Sequence, residues 1–152
     1  KKNFYYSKNF TGHVTMVNSR NKGAAFERHI CKLLNNLLEA HGHEGQVKRN
    51  LEQYQTKGQA DLYFKNFAIE CKRYKARSDN WPISKWWDQT LEAAGDEYIP
   101  ILIYKYDRKP IQAVMPLNLL NKDFVMDPQR ICVTSLRHFL QIAEAKLVQD
   151  NF

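Results

Sequence analysis

The chain reads as an α/β domain: a sandwich built on a mixed β-sheet with helices against it. Three observations predict this. An apolar stripe at helical spacing occupies residues 19–41, a pair of short apolar strands with a tight turn occupies 62–74, and a strongly apolar strand at 99–106 follows a second helical segment. Helical and strand periods alternate along the sequence, which is how helices packed on a sheet are encoded.

The elements follow in order. Residues 1–18 carry aromatic, polar and basic side chains without a clear period, and read as an N-terminal extension to a single domain at 19–152; Met16 is a candidate natural start. A helix is expected over 19–41. Ser19 suits its N-cap, Phe26, Ile30, Leu33, Leu34, Leu37 and Leu38 form its apolar stripe, and Gly42 suits its end. Residues 46–54 read as an edge strand and 56–59 as a loop. Residues 62–64 and 67–74 read as a hairpin around Lys65-Asn66. Pro82 suits the first turn of a second helix, which runs to about Ala94 and is closed by Gly95. Residues 99–106 form a strand, Asp107-Arg108-Lys109-Pro110 a turn, and 111–115 a returning strand. A helical turn at 116–120 and a short strand at 131–134 come next. Ser135 then caps a final helix that points Leu136, Phe139, Leu140, Ala143 and Leu147 inward.

The bulk numbers narrow the class. A chain of 152 residues is long enough for one domain with a sizeable core. No apolar run approaches the ~18–20 residues needed to cross a bilayer, and the N-terminus lacks the apolar stretch of a secretory signal. The expected location is the cytoplasm, that of the host cell if the source is viral. The three cysteines, Cys31, Cys71 and Cys132, are widely spaced and form no CxxC pair, which argues against a disulfide framework or a zinc site. His41-Gly42-His43 reads as a loop after a helix rather than a metal site. The net charge of +7 and pI of about 9.3 favour a polyanionic partner.

Asp61, Glu70 and Lys72 carry the chemistry. In a strand, successive side chains alternate faces, so Glu70 and Lys72 share one side while Phe67, Ile69 and Cys71 face the core. Ala68 shares the side of Glu70 and leaves space above it. Paired carboxylates suit a hard divalent cation, which prefers oxygen ligands. Such a cation lowers the pKa of bound water and offsets charge developing on a phosphate, and a neighbouring ammonium assists both. Glu27 borders the first helix's apolar stripe. Alone it reads as a rim residue; beside Asp61 and Glu70 it reads as a further carboxylate aimed at the site. Basic runs (Arg20-Asn21-Lys22, Lys48-Arg49 and Lys72-Arg73-Tyr74-Lys75-Ala76-Arg77) lie close in sequence to these acids. An acidic centre in basic surroundings fits a site that holds metal and phosphate together.

These residues resemble the PD-(D/E)xK nuclease superfamily, and most of all its archaeal-type Holliday junction resolvases and their phage relatives. The resemblance rests on Arg20-Asn21-Lys22-Gly23-Ala24-Ala25-Phe26-Glu27-Arg28, Gly58-Gln59-Ala60-Asp61, Ile69-Glu70-Cys71-Lys72 and Gln89, and spans about residues 19–115. Ala60 departs from the proline of the family name. The resemblance implies a restriction-endonuclease-like fold and a Mg²⁺-dependent endodeoxyribonuclease, Mn²⁺ substituting, that resolves four-way junctions in branched double-stranded DNA as a homodimer. It implies that Asp61 and Glu70 bind metal, with the backbone carbonyl of Cys71 a further ligand and Glu27 acting directly or through water. Lys72 would position the attacking water and Gln89 would orient Lys72 or the phosphate. Arg20, Lys22 and Lys57 would contact the DNA backbone, and Arg49, Arg73, Lys75 and Arg77, in the same basic surroundings, are further expected DNA-binding residues. The alternatives are another nuclease of the superfamily, restriction-like or repair, and a non-catalytic DNA-binding module. Trp81, Trp86, Trp87, Tyr104 and Tyr106 are an aromatic supply for a dimer interface; for Trp86 and Trp87 the monomer's own core is an equal reading.

Overall fold

A computed structural model of the protein describes residues 2–54 and 58–149. Helix α1 spans Lys2–Ala40. Strands β1 (Leu62–Phe64) and β2 (Phe67–Tyr74) form a hairpin. Helix α2 (Ser84–Ala94) leads to β3 (Ile99–Tyr106) and β4 (Gln112–Pro116), and a short α3 (Leu117–Leu120) precedes β5 (Ile131–Ser135) and α4 (Leu136–Gln149).

The five strands lie in sequence order in one sheet. The β2–β3 pair is parallel and the other three pairs are antiparallel, so the sheet is mixed. A parallel pair needs a crossover, and α2 supplies it. The alternation of side chains divides the core into two layers. Phe67, Ile69 and Cys71 of β2, Ile101 and Ile103 of β3, and Ala113 and Met115 of β4 pack with Phe26, Ile30 and Leu34 of α1 and Phe139, Ala143 and Leu147 of α4. On the opposite face, Leu102, Tyr104, Tyr106 and Val114 pack with Trp86 and Trp87 of α2. The result is the restriction-endonuclease-like α/β sandwich, with α1 and α4 on one side of the sheet and α2 on the other.

Helix α2 meets the sheet through large side chains at its start and small ones at its end. Ala93 and Ala94 pack on Ala60 and Ala68, where the absence of bulk permits close approach. Gly95, at φ +56°, then ends the helix and donates its N–H to Leu91 O. Glu70 follows Ala68 on the same face, between the alanine contacts and the aromatic layer. Trp86 and Trp87 are both buried, which selects the core reading for them. Among the described residues no helix is long and apolar enough to cross a membrane.

Some boundaries differ from the expected ones. Helix α1 is continuous through Ser19, which is therefore helix interior and not an N-cap. Residues 46–50 join no strand, and Leu51–Tyr54 forms a 3₁₀ turn. The strand expected at 46–54 is replaced by side-chain bonds. Asn35 of α1 donates from Nδ2 to Val47 O at 3.0 Å and accepts Val47 N–H at Oδ1 over 2.7 Å, acting as a surrogate strand partner. Helix α2 begins at Ser84, after the extended Ile83, so Pro82 lies just outside it. His41 is tied to α4 through Glu144 at 3.0 Å, so the segment after α1 is anchored by one of its two histidines.

Candidate active site

Asp61 enters β1 from a loop held on three sides. Gly58 takes φ +82°, a conformation that strains other residues. Asn50 donates its N–H to Asp61 O at 2.8 Å, and its Nδ2 reaches Gln59 Oε1 and Ala60 O at 2.9 and 3.1 Å. Tyr63 Oη accepts Ala60 N–H at 3.1 Å. The carboxylate itself accepts the backbone N–H of Cys71 at 2.8 Å, which fixes it against β2 beside Glu70. This is a local consequence of the hairpin: Leu62 pairs with Ile69, so the next residue outward on each strand brings Asp61 opposite Glu70.

Glu27, Asp61 and Glu70 are each buried, with 6–8% of their surface exposed. Three buried acids are costly unless they are paired, protonated or bound to a cation. Burial is the largest cause that raises Glu70, and the charge of Asp61 is the next; a hydrogen bond to Asp61 adds to both, so that its pKa reaches about 8. Lys72 opposes this from 4.0 Å, Nζ to Oε2. Glu27 is also raised, first by burial, with Asp61 adding and Arg49 opposing. Arg49 Nε donates to Glu27 Oε2 at 2.6 Å. Glu27 comes from α1 and Glu70 from β2, yet Asp61 raises both and the charge of Glu27 itself adds to the rise at Glu70.

The remaining expected residues separate into groups. Lys72 lies beside Glu70 and is partly exposed. Gln89 is exposed on α2, whose buried face is Trp86, Trp87, Thr90, Ala93 and Ala94, and it makes no hydrogen bond to Glu70 or Lys72. Arg20 is exposed on α1, and Lys22 lies 3.7 Å from Asp107. Arg73 donates to Asp107 Oδ1 at 2.6 Å and to Tyr74 O at 3.0 Å, so it is engaged within the domain. Lys75 is exposed, and Arg77 pairs with Asp79 at 3.3 Å. Lys57, with Thr56, lies outside the described residues. Three residues that sequence reasoning missed position the site: Asn35, Asn50 and Tyr63. For the two asparagines the one sequence signal is the general tendency of Asn to bond nearby backbone, and Tyr63 carries none.

A family model described as "Phage putative PDDEXK endonuclease" matches residues 18–148. The chain belongs to this family. It is thereby a member of the PD-(D/E)xK superfamily, whose nucleases generally use divalent metals and act on nucleic acid. Glu27, Asp61, Glu70, Lys72 and Gln89 lie within the matched range. No curated protein and no solved structure matches the chain.

The donor set of this family member fits a hard cation in chemistry and charge. It offers carboxylate oxygens in a buried, mutually repelling cluster, whose cost a cation would relieve. Among the described residues no three Asp, Glu, His or Cys side chains already surround one point as a ligand set. Glu27 is bonded to Arg49 and Asp61 to the Cys71 amide, so carboxylate rotation belongs to any loading of the site.

Proposed function

We propose that this family member is a metal-dependent endodeoxyribonuclease that resolves four-way DNA junctions by phosphodiester hydrolysis. Mg²⁺ is the proposed metal, with Mn²⁺ able to replace it. The observation that carries the reading is the convergence of buried Glu27, Asp61 and Glu70 beside Lys72, in a chain of net charge +7.

Asp61 and Glu70 would hold the cation, with the Cys71 carbonyl on the same strand and Glu27 as a further or water-mediated ligand. The cation, when bound, lowers the pKa of water and offsets charge on the scissile phosphate. Lys72 reaches the same space as Glu70 and orients the attacking water or stabilises phosphate charge. Arg20, Lys22, Lys75 and Arg77 would meet flanking phosphates, as would Lys57. Gln89, being exposed, would act on the bound DNA rather than on Lys72. Hydrolysis would leave 5′-phosphate and 3′-hydroxyl ends. Symmetric cutting of two strands requires two sites, and one chain supplies one constellation, so a homodimer is part of the proposal. The place of action would be the cytoplasm of the phage-infected cell.

The test is cleavage of a synthetic four-way junction, a linear duplex and a single strand, each with and without Mg²⁺. Metal-dependent, paired cuts near the branch support junction resolution. Preference for the linear duplex would reassign the chain to a restriction-like or repair nuclease. Retained Mg²⁺-dependent cleavage in Asp61→Asn would remove the site assignment.

A further inference from the structure

Trp81 differs from the other two tryptophans. Trp86 and Trp87 are 5% exposed, whereas Trp81 is 62% exposed. A single exposed aromatic is ordinary on a protein surface. What sets Trp81 apart is how firmly its backbone is held. Tyr106 Oη donates to Trp81 O at 2.6 Å, and Tyr104 Oη donates to Asn80 O at 2.6 Å. Trp81 N–H donates to Asp79 Oδ1 at 3.1 Å, and the same carboxylate accepts Arg77. The guanidinium of Arg77 lies 5.4 Å from the centre of the Tyr106 ring. Pro82 follows and is buried. Two tyrosines with fully buried rings thus fix the backbone of residues 80–81 while the indole is left in water.

This segment is close to the acidic cluster. Tyr104 is the parallel-sheet partner of Lys72, and Tyr106 is the partner of Tyr74. Partnered strands lie ~4.8 Å apart, so the loop rests on the side chain immediately beside Lys72. Lys75 and Arg77 lie on the same connection, and Tyr74 is also exposed there. Rigid exposed aromatics interleaved with cations are the chemistry that engages unstacked bases and their phosphates. A fully paired duplex keeps its bases stacked and offers no free face to an indole. A strand opened at a branch does.

We propose that Trp81 is a stacking platform for an unpaired base next to the scissile phosphate, with Lys75 and Arg77 meeting the adjoining backbone. This rests on the nuclease reading for its biological meaning, and it supplies a source of selectivity for branched over paired DNA. The platform itself is a binding property and is measured without cleavage.

The experiment uses the full chain in EDTA with three ligands: oligo-dT, a paired duplex of equal length and a four-way junction with unpaired bases at its centre. Tryptophan emission and affinity are read together. Oligo-dT quenches the wild-type emission, and Trp81→Phe abolishes that quench because Trp86 and Trp87 are buried. Trp81→Ala weakens oligo-dT binding ~5- to 150-fold, the range expected for losing one stacked base, while Trp81→Phe keeps most of the affinity. Junction affinity falls in the same direction, and duplex affinity changes less than about 2-fold. An equal loss on duplex and oligo-dT, or a quench that survives in Trp81→Phe, overturns the proposal. So does conversion of a dimer to a monomer by Trp81→Ala in sedimentation, since the indole would then belong to a protein interface. Absence of Mg²⁺-dependent cleavage in the wild type would remove the nuclease reading and leave the stacking result standing.

Discussion

Glu70 links the candidate site to stability through pH. Its pKa stands at about 8 in the folded chain against 4.5 for the ordinary side chain, with burial the chief cause and Asp61 the next. The folded state therefore binds this proton more tightly than the unfolded state. The associated stability is fully present below pH ~4.5 and is lost as pH rises through ~8. Every pH step of one between those two values is worth ~1.4 kcal/mol, so raising the pH from 5 to 8.5 removes at most about 4 kcal/mol. Relaxation of the cluster lowers that ceiling. Urea denaturation in EDTA at pH 5, 7 and 8.5 measures it; with a slope of ~2 kcal/mol per molar, the midpoint falls by roughly 1–2 M. Glu70→Gln removes most of the fall, and at pH 8.5 the variant is more stable than wild type. Glu27, raised in the same direction, leaves a smaller residual slope. The buried thiols of Cys31 and Cys71, raised from a higher starting value, contribute mainly above this window, and Asp107, which is lowered, titrates below it. Mg²⁺ at pH 8.5 restores the lost stability by binding the charged form. A wild-type midpoint that is flat or rises from pH 5 to 8.5, or a Glu70→Gln curve parallel to it, would refute the reasoning that this acid is held protonated by its surroundings.

Three further outcomes are expected. On the proposed reading, Glu70→Gln abolishes Mg²⁺-dependent junction cleavage and leaves junction binding in EDTA within about 3-fold, because the buried carboxylate would serve the metal and not the phosphates; a gel-shift titration beside the cleavage assay checks this, and parallel loss of both would contradict it. Arg49→Met strands the buried carboxylate of Glu27 and costs about 1–3 kcal/mol at pH 8, and the cost shrinks as the pH falls, because burial already favours the protonated form of Glu27; a destabilisation independent of pH would show that the ion pair is not the cause. Asn35→Ala removes both bonds to Val47, costs about 1–2 kcal/mol and speeds hydrogen exchange at the Val47 amide; unchanged exchange there would mean that the clamp does not hold the segment.

The fold is legible where one physical signal dominates. The stripe from Phe26 to Leu38 has no solution but a helix with one buried face, and the strand at 99–106 has apolar positions on both faces, as a central strand covered on both sides must. The segment at 46–54 misleads because its partner is unusual: the side chain of Asn35, twelve residues from Val47, takes the place of a strand. No periodicity encodes that. At α1, Ser19 imitates a helix start, since capping preference is local and cannot report that the preceding turns are also helical.

The site divides along the same line. Asp61, Glu70 and Lys72 sit on one hairpin, so strand alternation alone places them together. Glu27 lies on the helix covering the opposite face of the sheet, and Asp61, just before the short strand beside β2, is the charge that acts on both it and Glu70. Gln89 and Thr90 show the limit most clearly. Adjacent helix positions differ by about 100°, and nothing in the sequence says which one faces the sheet until Trp86, Trp87, Ala93 and Ala94 fix the buried side; Thr90 then lies inward, its hydroxyl bonded to Trp86 O, and Gln89 lies in solvent. A role for Gln89 therefore requires DNA to come to it. The three tryptophans separate by the same rule: their shared chemistry predicts affinity for an apolar partner, and only the packing decides that Trp86 and Trp87 find theirs inside the domain while Trp81 does not.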